Sequence, residues 1–220
     1  MGGGIAASYC TKLLADYGAD VIKVEPPEGD LVRCMGPFPG DQPHPEKSGL
    51  FLHLNTNKRG VTLDITDTSG VAQLEHVAAS ADAIVESFEP GYLASLGLSY
   101  HRVREINPRL VLTSITPFGQ DGPYAHWHAT EMVLFAMSGR MYGHGRQDRE
   151  PLRYAPDLVS FQTGTTAAAA TVAALWGALV HGSGTWIDLS AQEALAGNVD
   201  SRVVMASYSG TSGEIGRAHV

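Results

Sequence analysis

One aspartate in this 220-residue sequence stands at the head of a long uncharged run. Asp157 follows a proline in RYAPDLVSFQTG, and no Asp, Glu, Lys or Arg follows it before Asp188. An aspartate that begins a helix accepts N–H bonds from the first turn, and the helix dipole further favours its ionised form. A carboxylate nucleophile needs that same ionised form. Asp157 is therefore either a helix cap or a nucleophile at a helix start, and its local sequence alone favours the cap.

Two further segments contain groups that bind phosphate in other proteins. Lys58 and Arg59 lie in NTNKRG, directly before a strand-like segment. They are either solvated charges or phosphate contacts in an otherwise acidic protein. The glycines at residues 2–4 directly precede a predicted helix, whose free N–H groups could hold a phosphate. No strand precedes these glycines, so the pattern falls short of a dinucleotide-binding fingerprint.

Other kinds of catalytic site find little support in the sequence. His126, His128 and His144 lie in a segment rich in Gly and Pro without a suitably spaced carboxylate, so we expect no metal site. Cys10 and Cys34 match no zinc spacing and are too few for a disulfide framework, which is typical of reduced thiols in a cytoplasmic protein. No G-x-S-x-G or P-loop motif is present, so the sequence does not favour a serine hydrolase or a nucleoside triphosphatase.

The charge balance and the apolar segments limit the partners that we expect. The net charge of -8 argues against binding to nucleic acids or to membrane surfaces, because polyanions require a basic face. The beginning of the chain does not have the pattern of a signal peptide. The uncharged residues 158–187 are long enough to span a bilayer. They consist mainly of Ala, Thr, Gly and Ser, so we predict a buried helix followed by a strand at GTWIDLS.

Helix-like and strand-like segments alternate along the chain. The strands are predicted at residues 20–25, 61–65, 82–87 and 109–116. Helices are predicted at residues 5–18 and 68–80, as two short helices within 90–108, and after Asp157. Since the strands look buried on both faces, this order predicts an α/β fold with a parallel sheet and flanking helices. Ligands of such sheets bind at the carboxyl ends of the strands, here the loops VEPPEGD, VESFEPG and SITPFGQDG.

Several blocks of the sequence, taken in order, resemble the family III CoA-transferases. This CaiB–BaiF family also includes the α-methylacyl-CoA racemases. The blocks are YCTKLLADYGADVIKVEPPEGD, LNTNKRGVTLDI, DAIVESFEPGYLASLGLSY, INPRLVLTSITPFGQDGPY, AMSG, APDLVSFQTG and GTWIDLSAQEAL. The similarity runs almost continuously from about Ala6 to Ala196, and this many blocks in the same order are a specific signal.

The resemblance implies the large domain of the family III fold, with a nucleotide-binding-like parallel sheet. It implies CoA or an acyl-CoA bound as a substrate along the three loops, with no permanently bound cofactor and no metal. The second substrate would be a carboxylic acid acceptor. A full-length member would form a homodimer whose two chains are interlinked like rings.

The resemblance also implies a nucleophile. The family's catalytic aspartate opens an Asp-x6-Gly block, which here runs from Asp157 to Gly164. By this correspondence Asp157 attacks the acyl-CoA thioester to give a mixed anhydride. The CoA thiolate returns to form an aspartyl-CoA thioester, and the acceptor carboxylate finally takes the CoA.

Family members contact CoA at three places that can be located in this sequence. These are the start of the first helix, the strand after an Asn-Lys-Arg motif and the loop before a Pro-Gly turn. The corresponding residues are Ile5, Ala6, Leu63, Ser87 and Phe88. The motif itself comprises Asn57, Lys58 and Arg59, which we interpret as phosphate-side or structural residues.

The sequence departs from the family pattern at several positions. Ser87 replaces a frequent asparagine, and Ser95 replaces a frequent basic residue, which weakens the case for a phosphate clamp there. Racemases of the family have a histidine where this chain has Thr130, beside the acid Glu131. Two-base α-proton exchange would lack a partner, so the sequence favours a transferase over a racemase. Glu131 is either a supporting catalytic group or a structural carboxylate at a helix start. A CoA-binding protein without catalysis is a third hypothesis.

We expect the chain to be a fragment at both ends. Residues 1–213 would form an incomplete large domain. Residues 214–220, EIGRAHV, match the translation of a common sequencing adapter and are expected to be an added tail. The glycine-rich loop and the small domain of the family would lie beyond the fragment, so we expect residues 1–220 alone to be inactive.

Overall fold

The computed structural model of the chain describes residues 1–146, 148–197 and 202–210. Its strands are β1 (Val21–Glu25), β2 (Lys58–Thr62), β3 (Ala83–Glu86), β4 (Val111–Thr116) and β5 (Trp186–Ser190). The suspected tail at residues 214–220 lies outside the described residues.

Helices separate these strands. In the first half of the chain they are α1 (Ile5–Asp16), α2 (Gly49–Asn55), α3 (Thr68–Ser80), α4 (Tyr92–Ser95) and α5 (Tyr100–Ile106). In the second half they are α6 (Glu131–Met137), α7 (Leu158–His181), α8 (Ala191–Gly197) and α9 (Arg202–Ser209). Short 3₁₀ turns occupy Leu31–Cys34, Pro39–Asp41 and Met141–Gly143.

All strand pairs are parallel, which confirms the predicted α/β class. β1 pairs with β2, with Val21 opposite Lys58. β4 lies between β3 and β5, with Ala83 opposite Val111 and Leu112 opposite Trp186. The strands thus form one sheet of two strands and one of three within the described residues, where a single sheet was expected.

Burial differs strongly among the strands. Every residue of β4 is buried, as expected for the central strand of a sheet that helices cover on both sides. In β2, Arg59 to Thr62 are all exposed. The expectation of strands buried on both faces therefore holds for β4 and is wrong for β2, which has one neighbour only.

Side-chain packing joins the two sheets. Val24 and Leu63, from β1 and the residue after β2, share a core cluster with Leu110 and Leu112 of the β4 region. Leu74 of α3 belongs to the same cluster and is almost fully buried. The two halves of the fold are thus held together by apolar contacts, since the hydrogen-bonded ladders stop at the sheet boundary.

The helices α1 and α7 pack closely side by side. A Cβ placed on Gly164 would lie 2.6 Å from the backbone oxygen of Ala6, so only glycine fits at this contact. The rings of Tyr9 and Phe161 meet edge to face at 4.8 Å, and further along both helices Cys10 shares a buried cluster with Ala167. α1 begins beside the carboxyl end of β3, where Ser87 N donates to Met1 O at 3.2 Å, and ends beside the start of β2, where Asn57 donates to Asp16. α7 begins at the same end of the fold as α1, so the two helices run parallel.

That end is the carboxyl edge of the three-stranded sheet. Thr171 of α7 hydrogen-bonds Thr113 of β4 at 2.8 Å, while Ala167, earlier in α7, shares a cluster with Ile115, later in β4. α7 therefore runs opposite to β4, and its first residue faces the edge where the strands end. Asp157 lies seven residues, or about 10 Å of helix, beyond Gly164 in that direction.

α7 is long and apolar enough to cross a membrane by length and composition, a test that the core helix of a soluble protein can also pass. Here Val159, Thr163, Ala167 and Thr171 are buried against the rest of the fold. The uncharged run forms a helix and then a strand, as predicted, but the expectation that the whole helix is buried is wrong, because its outer face is exposed. That the protein binds no membrane and lies in the cytoplasm both stay predictions. Cys10 and Cys34 are both free thiols.

Candidate functional site

Asp157 directly precedes α7, at the capping position, in an unusual backbone conformation. Its φ of 65° and ψ of 1° are left-handed, whereas capping residues are normally extended. Its backbone oxygen accepts a hydrogen bond from Phe161 N at 2.9 Å, as expected at a helix start. Its carboxylate makes no capping hydrogen bond. The prediction that the carboxylate accepts N–H bonds from the first turn is therefore wrong, because the left-handed backbone directs the side chain away from those groups.

Glu131 supplies the missing cap. Its Oε1 atom accepts a hydrogen bond of 2.8 Å from the backbone N–H of Ser160, the third residue of α7. This is the bond that a capping Asp157 would have made. Glu131 is itself the first residue of α6, whose start is capped by the Thr130 hydroxyl accepting from Val133 N at 3.4 Å. Glu131 therefore has a structural role at a helix start, which was one of the two roles that we considered for it. The helix that it caps is α7, although Glu131 itself lies in α6.

A small cavity of about 60 Å³ lies beside the Glu131 carboxylate, and Asp157 is not among its lining residues. Its lining residues are Glu131, Met132, Phe135, Arg153, Tyr154, Ala155, Pro156 and Val159. The Tyr154 ring stacks at 4.0 Å on Phe135, which is fully buried. The aromatic pair and Pro156 line this cavity, and Pro156 directly precedes Asp157 in the chain.

A larger cleft of about 500 Å³ lies at the carboxyl ends of β1, β2 and β3. Leu63 and Phe88 line it, together with residues 1–3 and the loops after β1 and β2. Its size falls within the usual range of small-molecule sites. Ser87 lies against it, because its hydroxyl donates to the backbone oxygen of Gly3 at 2.8 Å. Two of the three predicted ligand-binding loops, VEPPEGD and VESFEPG, therefore meet at one cleft.

The third predicted loop extends from the second loop, where Gln120 Oε1 accepts a hydrogen bond of 3.2 Å from Gly91 N, towards α6 and α7. Phe118 of this loop packs against the cluster that contains Phe135, Val159 and Leu195. The backbone N–H of Gln120 donates to both carboxylate oxygens of Asp188, at 3.1 and 3.0 Å. SITPFGQDG thus belongs to the surroundings of Asp157, and none of its residues lines the larger cleft.

The charged side chains that line the larger cleft are all acidic, among lining residues that are mostly apolar or glycine. Glu28, Asp64 and Glu89 face it, whereas none of the described lining residues is a lysine or an arginine. Two cations nearby are already paired: Lys23 with Asp30 at 2.5 Å, and Arg33 with Glu25 at 2.7 Å. A phosphate group in this cleft would have to rely on backbone N–H donors.

Glu25 remains ionised in this arrangement. Burial by itself disfavours its charge, but the hydrogen bonds from the Arg33 guanidinium and from the Asp30 N–H outweigh burial, so the pKa of Glu25 is lowered.

The Asn-Lys-Arg motif lies at the opposite end of β2 from this cleft. Asn57 donates to Asp16 at 3.0 Å, and Arg59 binds both carboxylate oxygens of Asp20. Lys58 donates to the backbone oxygen of Ser8 at 2.7 Å and to the side chain of Asn55 at 3.0 Å. All three side chains therefore tie the start of β2 to α1 and its neighbours, which favours the structural interpretation over phosphate binding.

Burial lowers the pKa of Lys58 to about 7, with a smaller contribution from the nearby charge of Lys23.

The two predicted contacts at the start of α1 differ in what they can offer a ligand. Ile5 is buried in a cluster with Val32, Phe51 and Leu54, so its side chain is not available at the surface. Ala6 is partly buried and its backbone oxygen faces Gly164. Any ligand contact at this helix start would therefore come from backbone groups of the preceding glycines.

Glu86 is a buried carboxylate that we did not predict as a site residue. It ends β3 with 3% of its surface exposed and accepts a hydrogen bond of 2.7 Å from the backbone N–H of Phe88. Burial raises its pKa, although the hydrogen bond from Ser114 opposes this shift. It holds the Ser87–Phe88 segment at the cleft. An acid at the last position of an apolar strand was the available sequence signal.

Metal binding finds no candidate in the described part of the chain, where no three His, Cys, Asp or Glu side chains come close enough together to hold an ion. His126, His128 and His144 lie among these described residues.

Comparison with known proteins identifies relatives over nearly the whole chain. The sequence profile of CoA-transferase family III matches residues 1–220. The succinyl-CoA:(R)-benzylsuccinate CoA-transferase subunit BbsE of Thauera aromatica is 38% identical over 194 residues, which cover 88% of this chain and 47% of the relative. The succinate–glutarate CoA-transferase of Agrobacterium fabrum is 36% identical, over 84% of this chain and 47% of the relative.

Solved structures agree with the sequence comparison. A CAIB/BAIF family protein from Brucella suis matches with a TM-score of 0.90 and 32% identity, over 100% of this chain and 58% of that protein. The chain therefore spans about half the length of the curated relatives that it matches.

Proposed function

Because the chain belongs to CoA-transferase family III, we propose that the protein moves CoA from an acyl-CoA to a carboxylic acid. The relatives that carry CoA-transferase names support this activity. One structural observation supports it most directly: Asp157 stands at a helix start, and its carboxylate makes no capping hydrogen bond. A carboxylate that no donor already engages keeps its lone pairs for attack on a carbonyl carbon.

In the proposed reaction, an oxygen of Asp157 attacks the thioester carbonyl and the C–S bond breaks. This step gives a mixed anhydride and a CoA thiolate. The thiolate then attacks the aspartyl carbonyl, so that the donor acid leaves and an aspartyl-CoA thioester remains. The acceptor carboxylate attacks this thioester, which forms a second anhydride and again frees the thiolate. Attack of the thiolate on the acceptor's carbonyl yields the new acyl-CoA and regenerates Asp157.

We place CoA along the cleft that Leu63 and Phe88 line, with the thioester reaching towards Asp157. The parallel packing of α1 and α7 supports this arrangement, because both helices begin at the edge where the cleft opens. Backbone N–H groups around residues 2–4 would contribute to phosphate binding, since the described lining carries no cation.

Short dicarboxylic acids are the first substrates to assay. Succinyl-CoA appears in the name of the Thauera relative, and succinate and glutarate in that of the Agrobacterium relative. The homodimer with interlinked chains, expected from the family, remains a proposal for the full-length protein.

The first test is substitution of the proposed nucleophile in the full-length protein. Asp157→Asn should lower kcat by at least about 10³-fold, because the amide cannot form the anhydride. Hydroxylamine added during turnover should convert Asp157 to a hydroxamate that mass spectrometry detects. Asp82→Asn, an exposed acid at the amino end of β3, is the matched control and should keep full activity.

Two results would contradict the proposal. An active Asp157→Asn enzyme would exclude this nucleophile, and tight CoA binding without any thioester exchange would indicate a non-catalytic protein. A racemase is tested separately, by deuterium exchange at the α-carbon of a 2-methylacyl-CoA without an acceptor acid. We expect no exchange, because Thr130 offers no imidazole.

A further inference from the structure

The first turn of α7 receives its cap from another helix. Asp157 precedes the turn in a left-handed conformation, and its carboxylate hydrogen-bonds no described residue. The N–H of Ser160 nevertheless has an acceptor, the Glu131 carboxylate at 2.8 Å. Two acids therefore meet at one helix start, and the residue from α6 makes the bond that the residue from α7 does not.

It matters for a nucleophilic carboxylate that another acid accepts the capping hydrogen bond. Hydrogen bonds from N–H groups to a carboxylate stabilise its charged form, which is the form that must attack. A capping Asp157 would have to give up that stabilisation and leave a backbone N–H without an acceptor before it could react, which is unfavourable. With Glu131 as the acceptor, the N–H of Ser160 stays satisfied throughout the reaction.

We infer that Glu131 is a positioning residue, which takes over the cap of α7 so that the Asp157 carboxylate is available to react. The inference rests on the proposed function, since it assigns Glu131 a role only if Asp157 is the nucleophile. It gives Glu131 no contact with the substrate and no proton to transfer.

The structure also fixes Glu131 where this role requires it. Thr130 caps the start of α6, so the backbone of Glu131 is held in the first turn. One turn later, Leu134 and Phe135 are buried in a cluster with Val159 of α7. The bond from Ser160 to Glu131 thus joins two helices that already pack together, and little freedom remains to be lost when it forms.

Substitutions of Glu131 that separate geometry from charge test this inference. Glu131→Gln keeps an oxygen at the same reach, so it should retain kcat within about threefold. Glu131→Ala and Glu131→Asp remove or shorten the acceptor, and both should lower kcat by about tenfold or more, because Asp157 then turns to the vacant N–H. The KM for the acyl-CoA should change less than about threefold in all three variants, since none of them touches the CoA cleft.

A second readout reports on the nucleophile itself. The yield of hydroxylamine-trapped Asp157 should fall in Glu131→Ala and Glu131→Asp and be preserved in Glu131→Gln, which a role in stability alone would not produce. Val133→Ala is the matched control: it changes an exposed side chain of the same helix and leaves both the cap of α6 and the acceptor of Ser160 in place, so kcat should be unchanged.

Opposite results overturn the inference. If Glu131→Asp is active and Glu131→Gln is not, the charge of Glu131 acts directly and the cap is irrelevant. Wild-type kcat in Glu131→Ala would show that Asp157 needs no substitute cap. If Glu131→Ala fails to fold, the Gln and Asp variants decide the question. Asp157→Asn should be measured in the same assays, because its activity tests only whether Asp157 is the nucleophile. The Glu131 variants then test the positioning role separately.

Discussion

At the scale of single residues, the site consists of two carboxylates whose roles differ from what their positions in the sequence suggest. Asp157 has the residue type and the place of a helix cap, yet its left-handed backbone turns its carboxylate away from the first turn. Glu131 lies 26 residues earlier and makes the capping bond. The position of Asp157 at a helix start could be predicted from its sequence context, whereas the exchange of roles depends on a tertiary contact that no local pattern encodes.

Lys58 gives a pH-dependent prediction about stability. Burial lowers its pKa from 10.5 to about 7 in the folded protein. Between these values the unfolded chain binds a proton that the folded protein does not, so the free energy of unfolding should rise with pH. We expect a rise of about 1 kcal/mol per pH unit from pH 7.5 to 9, relative to Lys58→Met.

Urea unfolding of both proteins across this pH range measures that difference. Lys47→Met, an exposed lysine in the loop after β1, is the matched control and should show the wild-type slope. Equal slopes for wild type and Lys58→Met would show that Lys58 keeps its proton inside the fold.

At the scale of elements, the helices and strands were largely predictable, and the exceptions have physical reasons. α3 has the predicted bounds, residues 68–80, because an apolar face repeats with helical spacing there. β2 was predicted at residues 61–65 but begins at Lys58. Its first residues are polar or glycine because the strand is exposed, so apolar alternation could not reveal them. The short helix α2, at Gly49–Asn55, was not predicted.

The contact between α1 and α7 yields a prediction at this scale. Gly164→Ala should destabilise the protein by about 1–3 kcal/mol, because the new methyl group would meet the backbone of Ala6 and force the helices apart. Gly177→Ala lies in the same helix with nothing within 4 Å of its Cβ, and should instead stabilise by about 0.5–1 kcal/mol.

Thermal unfolding of the two glycine variants gives the sign of each effect. Activity gives a second measure, since a displaced α7 would move Asp157 as well. If Gly164→Ala were as stable as Gly177→Ala, the two helices would not be in the close contact described.

At the scale of the whole molecule, the parallel α/β architecture and the location of a ligand cleft at the strand ends were predictable from the order of elements. The division into two sheets was not predictable, because it depends on which strands pair with each other and not on where the strands lie in the sequence. The grouping of the three loops also escaped prediction: two line the cleft, and the third belongs to the surroundings of Asp157.

The outer face of α7 carries an exposed apolar stripe of Val172, Trp176, Leu179 and Val180, which are 53–68% exposed. Contiguous apolar surface of this kind favours association in water. We predict that residues 1–220 associate in a concentration-dependent manner, and that Trp176→Glu reduces this association by placing a charge in the stripe.

Sedimentation velocity at several concentrations tests this prediction. Trp127→Glu is the matched control, since Trp127 is 56% exposed but lies in a loop away from the stripe. Equal association of the two variants would show that the stripe on α7 takes no part.

The boundary between the two sheets has a consequence for ligand entry. Within the described residues, no ladder crosses from the β1–β2 pair to the other three strands, and the larger cleft opens above that seam. Side chains that pack across the seam and line the cleft, such as Val24 and Phe88, therefore set its aperture, where a continuous ladder would have made the floor rigid. Trimming one of these apolar side chains would alter the width of the opening and, with it, the rate at which a bulky thioester enters and departs, while every strand pairing stayed intact.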